Sequence, residues 1–126
     1  MYRTVEFQST FPNEWKFDAD DNPVAPGARE LAEVIKFEVG RSVRKVSPVE
    51  LHSYYGWAFD ANHAGCWFLN VLNPGDAQCY LTVHLGWYWL RALTLRHPRA
   101  RLDEYCEILE QALGAIPQVS GVVWQK

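Results

Sequence analysis

Little in this chain advertises chemistry. Its three cysteines are odd in number and lack CxxC spacing, so neither a disulfide framework nor a paired-cysteine zinc site is signalled, and reduced thiols in a cytoplasmic compartment are the expectation. No long hydrophobic run is present. The longest, Cys79 to Leu95, is interrupted by His84, Gly86 and Arg91, which excludes a membrane-spanning helix there. Met1 to Thr10 alternates polar and apolar residues, so no secretory leader is expected. Neither sign of charge dominates: Lys and Arg number 12 against 15 Asp and Glu, a net charge of −3. That balance argues against a general nucleic-acid binder. GxGxxG, P-loop, GxSxG and HExxH motifs are all missing, as are internal repeats and low-complexity segments. With 126 residues, the chain reads as one domain, residues 1–126, large enough to fold without a metal or a disulfide.

Aromatic residues are what it has in abundance: six each of Trp, Tyr and Phe, ten of them between Tyr54 and Trp89. They come in three bursts: Tyr54 to Phe59, Cys66-Trp67-Phe68, and Tyr80 followed by Trp87-Tyr88-Trp89. One small core rarely needs so much aromatic surface, so part of it is expected to meet a ligand, a partner or a second subunit.

Periodicity orders the elements. Thr4 to Thr10 reads as a strand with Val5 and Phe7 on one side. Phe11 to Pro26, rich in Pro, Asn and Asp, reads as a loop. Its Asp18 to Asn22 run has calcium-loop residue types but lacks the glycine and closing glutamate of an EF-hand. Gly27 to Val39 is predicted as a helix with its stripe at Ala28, Leu31, Ala32, Ile35 and Val39, stopped by Gly40. Arg41 to Leu51 is ambiguous. Strands are predicted over Tyr54–Asp60, Cys66–Leu72 and Ala77–Leu85, separated by turns at Asp60–His63 and Asn73–Asp76. A second helix runs from Pro98 or Asp103 to Leu113, and Val119 to Trp124 is a last strand. The fold class is therefore α+β: a two-layer sandwich in which an antiparallel sheet of about five strands carries two helices on one face, in the order β-α-β-β-β-α-β.

Strand alternation sorts the aromatics by face. The apolar sets, Tyr55-Trp57-Phe59, Trp67-Leu69-Val71 and Cys79-Leu81-Val83-Leu85, are expected to face the helices. The mixed sets, including Tyr54, Phe68, Asn70, Tyr80, Thr82 and His84, are expected on the open face. Trp87-Tyr88-Trp89 cannot all reach one core from an extended segment. The candidate binding residues are accordingly Tyr54, Phe68, Tyr80, His84, Trp87, Tyr88, Trp89 and Arg91.

Catalytic and metal readings fare less well. A turn centred between Pro74 and Gly75 would pair Cys66 with about Val83 and bring His84 near, the makings of a thiolate and its base, but a slip of one residue reverses the faces. The same register sets Cys79 near Asn70, too far from Cys66 for a disulfide. His63 and Cys66 have tolerable zinc spacing without a second pair. Arg91, Arg96, His97, Arg99 and Arg101, with Arg41, Arg44 and Lys45, form basic runs that read as solvated linkers or an acid-binding patch. No catalytic residue, metal site or cofactor is assigned.

Val5-Glu6-Phe7, the helix, Tyr55-Gly56-Trp57, the hairpin with Cys66-Trp67-Phe68 and the closing Val122-Val123-Trp124 together resemble a family of small uncharacterised bacterial proteins. The resemblance implies an α+β architecture and brings no chemistry. The function expected is that of a non-enzymatic protein-interaction domain, of accessory or immunity type, with a protein partner or a homodimer. The alternative is a small-molecule-binding domain or minor enzyme with an aromatic-lined cleft. Membrane partners are not expected, and nucleic acid is the weakest reading.

Overall fold

The first strand of the chain lies inside the sheet, not at its edge. In this computed structural model residues 1–53, 56–75, 78–86 and 98–126 are described. The strands are β1 (Tyr2–Ser9), β2 (Lys16–Phe17), β3 (Pro23–Ala25), β4 (Lys45–Val46), β5 (Glu50–Ser53), β6 (Gly56–His63), β7 (Cys66–Pro74), β8 (Cys79–Leu85) and β9 (Val119–Trp124). The helices are α1 (Arg29–Gly40) and α2 (Pro98–Gly114). Among the described residues the main sheet has seven strands in the order β4-β6-β7-β8-β1-β9, with β5 also paired to β6. Each of its pairings is antiparallel.

The α+β class and the antiparallel sheet stand, but the sheet is larger than the five strands expected. The ambiguous stretch Arg41 to Leu51 supplies β4 and the first half of β5 as short edge strands. The expected loop from Phe11 to Pro26 holds a two-stranded pair, β2 with β3. The turn expected at Asp60–His63 is strand: β6 continues to His63, and the chain reverses at Ala64 and Gly65, with φ of 52° and 82°. Two successive positive φ values are what a two-residue hairpin with the right twist requires. The Asp and Asn that suggested a turn instead supply polar side chains to a strand.

The β7–β8 hairpin is also set differently from the sequence expectation. Pro74 faces Cys79 and Asn70 faces Val83, so the residue opposite Val83 lies four positions beyond Cys66. Directly opposed residues share a face. Leu81, Val83 and Leu85 therefore bring Leu72, Asn70 and Phe68 with them to the helix side. This overturns the sorting of β7. Phe68 and Asn70 are fully buried, while Trp67 and Leu69 are half-buried on the other face.

On the helix side, Val5, Phe7, Phe59, Phe68, Leu72 and Leu81 share one core cluster with the stripes of α1 (Leu31, Ala32, Ile35, Val39) and α2 (Leu102, Tyr105, Leu109, Leu113). Both stripes follow the three-and-four spacing of an amphipathic helix. The Phe68 and Tyr105 rings stack with centroids 4.4 Å apart and planes 3° from parallel. The Tyr105 hydroxyl donates to Asn70 Oδ1 at 2.7 Å. Asn70 Nδ2 donates to the carbonyls of Phe59, at 3.3 Å, and Phe68, at 3.1 Å. A buried amide is tolerable because its donors and its acceptor are all partnered. Burial holds the Tyr105 hydroxyl far above the usual phenol range, so it remains a donor at any working pH.

Among the described residues no helix is long and apolar enough to cross a membrane. All three cysteines are free, with Cys66 and Cys79 buried.

Removing the Tyr105 hydroxyl leaves Asn70 Oδ1 without a partner in the core. Tyr105→Phe is expected to cost about 1–3 kcal/mol, read in urea as a lower midpoint at an unchanged slope.

Candidate functional site

The face of the sheet away from the core cluster is built from cross-strand rows. At its centre Ala58, Val71, Thr82 and Thr4 lie side by side across β6, β7, β8 and β1. The two threonine hydroxyls are 3.1 Å apart. The next row is larger and more polar: Asp60, Leu69, His84 and Tyr2. Beyond it come Lys45, Asn62 and Trp67. Gly86 donates its N–H to the Trp67 carbonyl at 2.8 Å.

Between these last two rows lies a cavity of about 650 Å³, within the range of ligand pockets. Trp67 and Leu69 form its apolar floor. Lys45, Val46, Ser47 and Pro48 wall it from the edge, and Asp60 and Gly86 complete it. Glycine at 86 permits the close approach to Trp67, because a Cβ at that position would stand 2.8 Å from the Trp67 carbonyl oxygen. One backbone and one side-chain hydrogen bond fix the edge wall to β6: Ser47 N–H donates to the Asp60 carbonyl at 2.8 Å, and Asp60 N–H donates to Ser47 Oγ at 2.7 Å.

The electrostatics of this cavity are incomplete within the described protein. Asp60 is half-buried, and among the described residues its carboxylate has neither a hydrogen-bond donor nor an ion-pair partner. Burial, with the Glu50 carboxylate nearby, pushes its pKa up. Lys45 lines the same cavity but forms no ion pair with Asp60. In the row of Lys45, Asn62 Oδ1 is buried and has no partner among the described residues.

The expected binding residues divide three ways. His84 and Tyr80 lie on this face, as expected. His84 is exposed, opposite Leu69, with its ring centroid 5.7 Å from that of Tyr2. Burial lowers its pKa, helped by the positive amino terminus and His52. Tyr80 is half-buried in a separate row between Asn73 and Glu6. Phe68 is corrected: it stacks on Tyr105 in the core and has no access to this face. Tyr54, Trp87, Tyr88, Trp89 and Arg91 lie outside the described residues.

A Cys66–His84 pair is excluded by the register. Cys66 faces His63 on the helix side, and His84 projects from the opposite side of the sheet. Burial raises the thiol pKa of Cys66 and of Cys79, and that of Cys106 to about 11, the reverse of what a thiolate nucleophile needs. His63 Nε2 lies 3.1 Å from Glu104 Oε2, and Arg101 donates to both oxygens of that carboxylate at 2.9 Å. This clasp joins the β6–β7 hairpin to α2, and Arg101 and His63 hold the Glu104 pKa down. Among the described residues no three His, Cys, Asp or Glu side chains gather where a metal could be held. A smaller cavity, about 340 Å³, lies at the start of α1. There Trp57 Nε1 donates to the Gly27 carbonyl at 3.0 Å, and the Arg29 guanidinium sits 5.3 Å from the indole centroid. Trp57 is thus half-buried and engaged within the chain.

No family model matches this chain, and no curated protein or solved structure matches it either.

Sequence reasoning did not bring Lys45, Asp60, Trp67 and Leu69 together around one cavity. The signal was the alternation in Asp60-Ala61-Asn62-His63, a continuing strand pattern set aside because Asp and Asn are turn formers.

The half-buried Asp60 carboxyl predicts a pH signature. A folded pKa above the unfolded value of 3.8 means that folding favours the protonated acid. Stability is therefore lost as pH rises from the unfolded towards the folded pKa. Asp60→Asn removes that loss. It is expected to melt higher than wild type at pH 7, with the gap closing below pH 3.8, as followed by thermal denaturation across pH.

Proposed function

We propose that this protein works by binding rather than by catalysis, and that its ligand is a small molecule held in the cavity over Trp67 and Leu69. The observation that carries this reading is the cavity itself: about 650 Å³, an aromatic and aliphatic floor, and two ionisable side chains at its wall. Apolar walls with a few convergent polar groups are the usual composition of a ligand site. A side chain that carries an unneutralised charge beside apolar surface is more often kept for recognition than for stability. The neighbouring row extends the surface through Leu69 to His84 and Tyr2.

A second reading has its own support. Tyr2 and Val123 are 65% and 55% exposed, a large apolar allotment for the β1–β9 side of the sheet, and Tyr2 lies against His84. These residues fit contact with a protein partner or a second copy, in an accessory or immunity-type role.

A thermal-shift screen across amino acids, amines, carboxylates, sugars and nucleosides tests the first reading. A ligand at about a hundred times its Kd adds ~2.7 kcal/mol to stability, a rise of several degrees in Tm. Trp67→Ala is expected to abolish that rise, and Val123→Ser, in a different row, to leave it. If no class raises Tm, the small-molecule reading falls. The second reading predicts an oligomer or complex weakened by Tyr2→Ala in sedimentation velocity.

A further inference from the structure

We infer that the occupant of the cavity is a zwitterion of the α-amino-acid type with an apolar or aromatic body, its ammonium on Asp60, its carboxylate on Lys45 and its body against Trp67 and Leu69. The inference rests on the reading of that cavity as a ligand site. Lys45 faces Asn62 across β4 and β6, so Asp60, two residues before Asn62 on the same face, is its diagonal neighbour. Diagonal neighbours on a sheet are about 7–8 Å apart, and long side chains at that separation usually meet. These two line one cavity without pairing with each other.

The surroundings narrow the choice. The hydroxyl oxygen of Ser47 already accepts from the Asp60 backbone N–H, and the same group lies 3.3 Å from the Pro48 carbonyl as a donor, so it does not neutralise the carboxylate. Glu50 faces Ala58 across β5 and β6 and adds negative charge on the Asp60 side, where an ammonium is favoured. Asn62, with its unpartnered oxygen, occupies the row between Lys45 and Trp67. A plain cation would satisfy Asp60 but meet the Lys45 ammonium. A plain anion would satisfy Lys45 but meet Asp60 and Glu50. A molecule bearing both charges as two substituents of one carbon, with an apolar remainder, meets each wall with its complement. The face of an indole is also a favourable neighbour for an ammonium or an aromatic ring.

The test uses three probes of one shape: L-phenylalanine, phenethylamine and 3-phenylpropionate, titrated into the full chain by calorimetry at pH 7. L-phenylalanine is expected to bind about tenfold more tightly than either single-charge probe, the effect of one charge-assisted contact. In Asp60→Asn it should lose its advantage over 3-phenylpropionate. In Lys45→Gln it should lose its advantage over phenethylamine. Melting curves establish that both variants are folded. If either single-charge probe binds wild type as tightly as L-phenylalanine, the zwitterion inference is overturned while the cavity remains a ligand site. Binding that is unchanged in both variants, or no binding of any of the three at millimolar concentration, also overturns it. The broader screen separately decides whether the cavity binds small molecules at all.

Discussion

Asn70 and Tyr105 decide which way the central strand faces. The tyrosine hydroxyl comes from α2, the amide from β7, and the neighbouring Phe68 ring lies flat against the tyrosine ring. With the amide nitrogen bonded to two sheet carbonyls, the polar residue fits only where those partners stand. A strand has two faces and a period of two. Once Phe68 and Asn70 point to the helices, Trp67 and Leu69 point the other way. Turning β7 over would bury an indole where Phe68 packs and put a satisfied amide into water. The hydrogen bond is buried, so the cost of leaving it unmade exceeds what the bond itself contributes. The identity of the cavity floor is thus settled on the opposite side of the sheet, by a contact no ligand would touch.

The two sides of the sheet treat charge differently. On the helix side ionic groups are matched: His63 and Arg101 close on Glu104, and Arg3 meets Asp103 at 2.8 Å. These pairs tie the hairpin and β1 to α2, although half-exposed pairs of this kind contribute little individually. Around the cavity, among the described residues, Asp60 stays half-buried without a partner, Lys45 stands apart from it, and Asn62 Oδ1 is unsatisfied. A chain selected for stability alone would pair or replace these groups. Their survival beside apolar surface fits a face maintained for something outside the chain, at some expense in stability.

Much of the architecture was legible from local pattern. The stripe Leu31, Ala32, Ile35, Val39 and the stripe Leu102, Tyr105, Leu109, Leu113 are long enough for their period to be unmistakable, and both fall in helices. The strands β1, β8 and β9 were placed within two residues of their ends. The face of β7 was not legible, for a physical reason. Its residues are apolar on both sides, and the one polar member of the true core set, Asn70, is polar because a residue thirty-five positions later bonds to it. A local pattern carries no record of that partner. Lys45 and Asp60 were equally hidden, since the edge strand that brings them together has two residues and its neighbour resembles a turn. Plain alternation did place His84 on its observed face of the sheet.

The position of β1 in the sheet has a consequence for how the molecule is made. Val5 lies opposite Leu81 on one side and opposite Trp124 on the other. β1 therefore waits for two partners, both far along the chain from it. Until then an alternating strand with Val5 and Phe7 on one edge offers unpaired backbone groups to its surroundings. Such distant pairings slow folding and lengthen the time that sticky surface is open to other chains. The hairpins β6–β7 and β7–β8, joined by short connections, can form before that and provide the edge on which β1 docks. β1 and β9 then close the sheet together, as interdependent parts of one late step.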